Sequence, residues 1–341
     1  MQKCPLRRAL SPSCMEDHAI QIAFYIPSAL EASVPHATSH FSALETLLAR
    51  GNTTHSSRHA DAQLLALFGG DPAEGTARAA VSHFAQTGTA SEEWRIVASP
   101  VHLLADHTTL HFPPQHTVSL SGEESRALMM SCQDYFAEEG WQLDYGEANA
   151  WYLHVPHSTG ITTTPLHDAV GKPLFEALPQ GRDARLWRRW LNEAQMLFHG
   201  HAVNAERSSQ GQPPINSLWF WGHGCLPALS VRRFNHVYGG DRFVQGLARL
   251  SGAPWSPLAA AEPLSELTMK DGPLLMVLDE AAQSRWDIDW FAPLHTLLRG
   301  KTITRAELHF HNGYSTHLSG AMLWRFWRRK RFSLAISKDP Q

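Results

Sequence analysis

The sequence predicts an α/β protein whose mostly parallel sheet is flanked by helices, with a small α+β insertion or cap. Three observations predict it. Short apolar runs end at turn residues, amphipathic segments alternate with them, and hydrophobic residues make up 43% of the chain against 18% charged, the balance of a packed protein. Strands separated by helices pair in parallel, because a crossover helix returns the chain to the same end of the sheet. Ligand sites in such sheets gather at the carboxyl ends of the strands.

The elements follow in order. AIQIAFYIPSAL, from Ala19 to Leu30, is a buried strand stopped by Pro27. HFSALETLLARG puts Phe41, Leu44, Leu47 and Leu48 on one helical face and ends at Gly51, and DAQLLALFGG is a second helix closed by Gly69 and Gly70. From Glu93 to Phe112 the pattern gives two short extended segments around Pro100. Pro113 and Pro114 then mark a break. SGEESRALMMSCQDYFAEEG is a helix that opens on a capping box of Ser121 and Glu124. WQLDYG and AWYLHV alternate as strands do.

DARLWRRWLNEAQMLFHGHAVNAERSSQ is the longest helical signal, with Leu186, Trp190, Leu191, Met196 and Leu197 at turn spacing. SLWFWGHG and GPLLMVLDE are buried strands, SRWDIDWFAPLHTLLRG bears a helix, RAELHFHNGYS is the last strand, and AMLWRFWRRKRF is a closing helix. These assignments make residues 1–17 a flexible N-terminus, 18–112 and 162–341 the α/β core, and 113–161 the insertion or cap.

Composition narrows the function classes. The formal net charge is -3 and the pI about 6.7, so no global field draws the protein to nucleic acid or to an anionic membrane. Cys4, Cys14, Cys132 and Cys225 form no CxxC pair, and four scattered thiols fit a reducing cytoplasm. SPSCMEDH interrupts any apolar run of signal-peptide length, and no stretch reaches the ~20 apolar residues of a membrane span. The 21 histidines are scattered along the chain, so spacing and not number must nominate ligands.

No GxSxG elbow is present. His199 and His201 are two apart, a spacing that shares no helical face. The turn at Gly222 and Gly224 either cradles a phosphate with backbone amides or simply turns a buried WFW strand. The closing segment sets Arg325, Arg328, Arg329 and Arg331 beside Trp324, a pattern for a protein or nucleic-acid partner. On a helix, the same segment packs Leu323, Phe326 and Trp327 inward and leaves its charges solvated.

The stretch HAVNAERSSQGQPPINSLWFWGHG resembles the HPVN, Arg, Gly, PAN, strand, GxG run of the archaeal-type cofactor-independent phosphoglycerate mutases. The matching positions are His201, Val203, Asn204, Arg207, Gly211, Pro213, Asn216, Gly222 and Gly224. The longer stretch from Thr162 to Gly224 also resembles a bacterial phosphoglycerate mutase-like family, labelled regulatory protein of the RpfE type.

The resemblance implies an alkaline phosphatase-like fold, in which two metal ions and a Ser or Thr nucleophile handle phosphoryl groups. It makes His201, Asn204, Arg207, Asn216, Gly222, His223 and Gly224 candidate ligand-binding residues. Its metal candidates are Asp279, Asp287, His309, His311 and His317. The chain departs from the pattern where Ser28 and Ala29 replace the Asp-Gly after the first strand, and where His309, His311 and His317 follow one another without an acid. The expectation is therefore a noncatalytic or weakly catalytic regulatory protein that binds a phosphorylated small molecule and needs no cofactor. The alternatives are a phosphomutase or phosphatase dependent on a divalent metal, Mn or Zn, and an adaptor that works through the basic C-terminal segment.

Overall fold

A computed structural model describes residues 22–27, 42–105, 110–113, 118–170, 173–229, 231–264, 266 and 272–328. Expectations for residues 1–17, Ser28, Ala29, Phe41, Pro114, Arg329 and Arg331 fall outside them. The chain forms two compact units: one is Pro72–Pro227, and the other runs through Asp71 and resumes at Ala228. The expected insertion over 113–161 is thus only part of the middle unit.

The flanking unit begins with β1 (Ile22–Ile26), α1 (Ser42–Arg50), β2 (Asn52–His55) and α2 (Ala60–Leu67). The middle unit adds α3 (Arg78–Thr87), β3 (Trp94–Val101), β4 (Leu104–Ala105), β5 (Leu110–His111), α4 (Gly122–Glu138), β6 (Gln142–Glu147) and β7 (Ala150–Val155). It continues with α5 (Leu166–Ala169), α6 (Leu174–Ala177), α7 (Ala184–His199), α8 (Ala202–Ser209) and β8 (Ser217–Gly224). The chain then returns to the flanking unit as β9 (His236–Gly239), α9 (Arg242–Leu250), β10 (Trp255–Ser256), β11 (Leu274–Val277), α10 (Ala292–Arg299), β12 (Arg305–Phe310) and β13 (Tyr314–Ser319).

The flanking unit holds a seven-stranded sheet in the order β10-β9-β11-β1-β12-β13-β2. Strands β10, β9, β11, β1 and β12 are parallel, while β13 and β2 are antiparallel additions at one edge. All of β1 and β11 is buried, which is why both read as unbroken apolar runs. Ile22, Phe24 and Ile26 pack with Leu44, Leu47 and Leu48 of α1, Leu294 and Leu298 of α10, and Ala306, Leu308 and Phe310 of β12.

Entry to and exit from this unit are neighbours. A Cβ placed on Gly70 would lie 3.2 Å from Leu229 Cδ2, and Arg233 Nη1 donates to the Ala66 and Leu67 carbonyls at the end of α2.

The middle unit is built on a four-stranded antiparallel sheet, β6-β7-β3-β8. One face carries an aromatic core in which Trp94, Trp141, Trp187, Trp190, Phe136 and Phe220 pack with ring centroids 4.6–6.0 Å apart. The other face sets Val97, Tyr152, Trp219 and Trp221 against Ala79 of α3.

Several expectations need correction. Pro100 does not divide two segments but sits inside β3, opposite Leu218 of β8. Pairing with β7 ends at Ala98, so the proline's missing N–H breaks no ladder on that side. The long helix is two helices, α7 and α8, separated at Gly200 and capped anew by His201. Within it Met196 is 74% exposed and not in the core. The "last" strand is a hairpin: β12 turns through Asn312 and Gly313, the latter at φ 87°, into β13. Among the described residues of the expected closing helix there is one 3-10 turn, Met322–Trp324, in which Leu323 is buried, while Phe326 and Trp327 beyond it stay exposed.

Candidate functional site

The residues of the HAVN to GHG stretch lie in the middle unit, and four of them build its scaffold. His201 caps α8, its Nδ1 accepting from the Val203 amide at 3.2 Å. Asn204, buried, donates from Nδ2 to the carbonyls of Phe198 and Ile215 at 2.8 and 2.7 Å and accepts the Ile215 amide on Oδ1 at 2.8 Å. Asn216 pairs with both backbone groups of Leu103. Arg207, 1% exposed, donates to the carbonyls of Pro213 and Ser119 and to Glu124 Oε1, at 2.9–3.0 Å. A cavity of about 460 Å³ opens beside Arg207 and is also lined by His102, Ser119 and Gln212.

The glycine turn is tightly packed. Gly222 and Gly224 both have positive φ, and a Cβ on either would press on Arg78 or Ala77 of the α3 start. Between them the His223 ring stacks on Trp94 at 5.6 Å, and its Nδ1 bonds Thr163 Oγ1 at 3.0 Å. Burial pushes the His223 pKa down to about 4, so the ring is neutral near pH 7.

The metal candidates lie in the flanking unit, and of the five only His309 and His317 are seen to share a partner, Glu307. Both Asp287 oxygens accept the Ala43 and Leu44 amides, at 3.1 and 2.9 Å, which caps α1 on the Leu308 side of the sheet. Alternation along β12 turns Glu307 and His309 to the opposite side. Asp279, just past β11, caps the following turn through the Ala281 amide. His311 follows β12, and its backbone amide donates to the Ile26 carbonyl. Among the described residues, no group of three or more His, Cys, Asp or Glu is placed to hold a metal ion. The donors described do not fit a two-metal site.

The structure instead assembles a chain of polar side chains at the carboxyl ends of β1 and β12, where Tyr25, His309 and Ser315 stand side by side on neighbouring strands. Glu307 bridges two histidines, with Oε1 at 2.7 Å from His317 Nδ1 and Oε2 at 3.0 Å from His309 Nε2. His309 Nδ1 lies 2.9 Å from Ser315 Oγ, which also accepts from Gln63 Nε2 at 3.3 Å. Burial alone would raise the Glu307 pKa, but the hydrogen bonds and charges of His309 and His317 outweigh it and hold the carboxyl at about 2. His317 is raised by its bond to Glu307 against a smaller opposing effect of burial.

The expectation that these histidines lack an acid is thus overturned, because Glu307 pairs with two of them. Glu307 was readable in ELHF, two positions before His309 and so on the same strand face. Ser315 and Gln63 carry no local signal, because their part depends on the register of β13 and the packing of α2.

Of the partner candidates, Trp324 is 63% exposed, Arg325 Nη1 donates to Asn52 Oδ1 at 3.1 Å, and Arg328 is also exposed. No helix among the described residues is long and apolar enough to cross a membrane.

No protein-family model matches the chain. It is 29% identical over 178 residues to a probable 2,3-bisphosphoglycerate-independent phosphoglycerate mutase of Geobacter sulfurreducens, a match covering 50% of this chain and 43% of the relative. It is 43% identical over 76 residues to the enzyme of that name from Methanothrix thermoacetophila, covering 22% and 19%. The matched parts span less than half the length of these relatives. Among solved structures, the PH0037 protein of Pyrococcus horikoshii shares the fold at a TM-score of 0.50, with 13% identity and 88% coverage of each chain. The chain is therefore distantly similar in sequence to the cofactor-independent phosphoglycerate mutases, and it shares its α/β fold with the PH0037 protein.

Proposed function

We propose that this protein acts on a phosphorylated small acid, as a phosphomutase or phosphatase of the phosphoglycerate mutase-like kind. The observation that carries this reading is the 178-residue match to a relative named for that activity. Support also comes from the polar side chains at the carboxyl edge of the parallel sheet, where α/β proteins hold their ligands. The test supplies purified protein with Mn or Zn, measures interconversion of 2- and 3-phosphoglycerate and release of phosphate, and determines bound metal. Turnover of either kind is expected; its absence across both assays overturns the reading.

One observation favours a second reading, a regulatory protein of the RpfE type that binds such a ligand without turning it over. Asp287, Asn204, Asn216 and Arg207 already spend their polar atoms on caps and backbone groups. That reading predicts calorimetric binding of 3-phosphoglycerate by protein that shows no turnover. The exposed Trp324, Phe326 and Trp327 beside Arg325 keep the adaptor role as a further proposal, tested by salt-sensitive binding to nucleic acid.

A further inference from the structure

Ser315, His309 and Glu307 stand in the relation of nucleophile, base and orienting acid. Glu307 is an ionised carboxylate that can only accept, so His309 Nε2 carries the proton of its 3.0 Å bond. In the neutral ring this leaves Nδ1 as a lone pair, and the Ser315 hydroxyl donates to it at 2.9 Å. His309 is 5% exposed and its ring is held at both nitrogens, whereas Ser315 is only partly covered. The cluster also lies at the carboxyl ends of β1 and β12 and not in a loop.

We propose that Ser315 Oγ is an activated nucleophile toward tetrahedral phosphorus, with His309 as its general base and Glu307 as a positioning residue. The choice of phosphorus over carbon rests on the proposed function; the activation of Ser315 rests on geometry alone. With a phosphate monoester, the Oγ–P bond forms and the P–O bond to the alcohol breaks. The Ser315 proton passes to His309 Nδ1 and from there to the departing alkoxide. Water or a second alcohol then attacks the phosphoserine and gives up its proton to the same nitrogen, which passes it to Ser315 Oγ as the Oγ–P bond breaks. Gln63 Nε2, 3.3 Å from Ser315 Oγ, offers a donor to the oxygens around phosphorus.

The test treats the full chain with a fluorophosphonate and maps the adduct by mass spectrometry, which needs no mutase turnover and so separates this inference from the proposed function. Fluoride leaves as the Oγ–P bond forms. The expected result is an adduct on Ser315 of the native protein, absent from Ser315→Ala. His309→Ala should label roughly 100-fold more slowly and recover when imidazole is added. Glu307→Gln should slow labelling while Glu307→Asp restores part of it. Native protein without an adduct at Ser315 overturns the proposal, and so does a His309→Ala rate that is unchanged or that imidazole fails to restore. Reaction with a carboxylic ester probe but not with the fluorophosphonate overturns the assignment to phosphorus.

Discussion

Glu307 shows how much a single side chain can organise once its neighbours across the ladder are known. Its depressed pKa means that its share of stability is complete above the ordinary carboxylate range and is lost as pH falls toward 2. The raised pKa of His317 works in the other direction, complete below about 6.5 and lost as pH rises through the folded value. Both contributions are therefore present together from about pH 4.5 to 6.5. His317 is about half exposed, so solvent limits the effect to about 0.5–1 kcal/mol. Melting temperatures of the native protein and His317→Gln should differ most in that window and approach each other on either side; a constant gap from acid to alkaline pH would refute the linkage. The local pattern of ELHF offered the acid and one histidine. It could not offer His317 or Ser315, because which residue of β13 faces which residue of β12 is decided by the turn between them.

At the scale of elements, sequence patterns were reliable where an element carries its own punctuation. The Ser121 and Glu124 capping box opens α4 as expected, and the apolar run before Pro27 is β1. They failed where tertiary neighbours decide. Helical spacing continues across Gly200, yet His201 caps a new helix there. The aromatic and basic closing segment has helical composition, but its described residues form one 3-10 turn.

The β12–β13 hairpin supplies a quantitative check. Gly313 has a φ of 87°, and a Cβ there would collide with the Ser56 carbonyl, whereas Gly69 has a φ of 82° with nothing within 4 Å. Gly313→Ala should therefore lose about 2 kcal/mol or more in urea unfolding, and Gly69→Ala about 1 kcal/mol. Equal losses at the two positions would show that the close approach to Ser56 is relieved at no cost.

For the whole molecule, the α/β class was plain in the sequence, while the bounds of its compact units were not. The proline break that begins at Pro113 looked like a boundary, but Pro113 lies within the middle unit, because β3 and β8 flank that region in chain order and pair with each other. Contacts at such sequence distance leave no local trace. Among the described residues the middle unit is one continuous segment with its own aromatic core, so Pro72–Pro227 expressed alone should fold. A cooperative thermal transition with the blue-shifted fluorescence of enclosed indoles is expected; red-shifted emission with no transition would show that its core needs the rest of the chain.

The nearness of Gly70 and Leu229 has a practical meaning for protein engineering. Two chain ends held almost side by side can be spliced by a few glycines, so the seven-stranded sheet can keep its strand order when the intervening segment is cut away. The same junction would accept a foreign domain of similar end spacing, making the protein a natural acceptor for grafts.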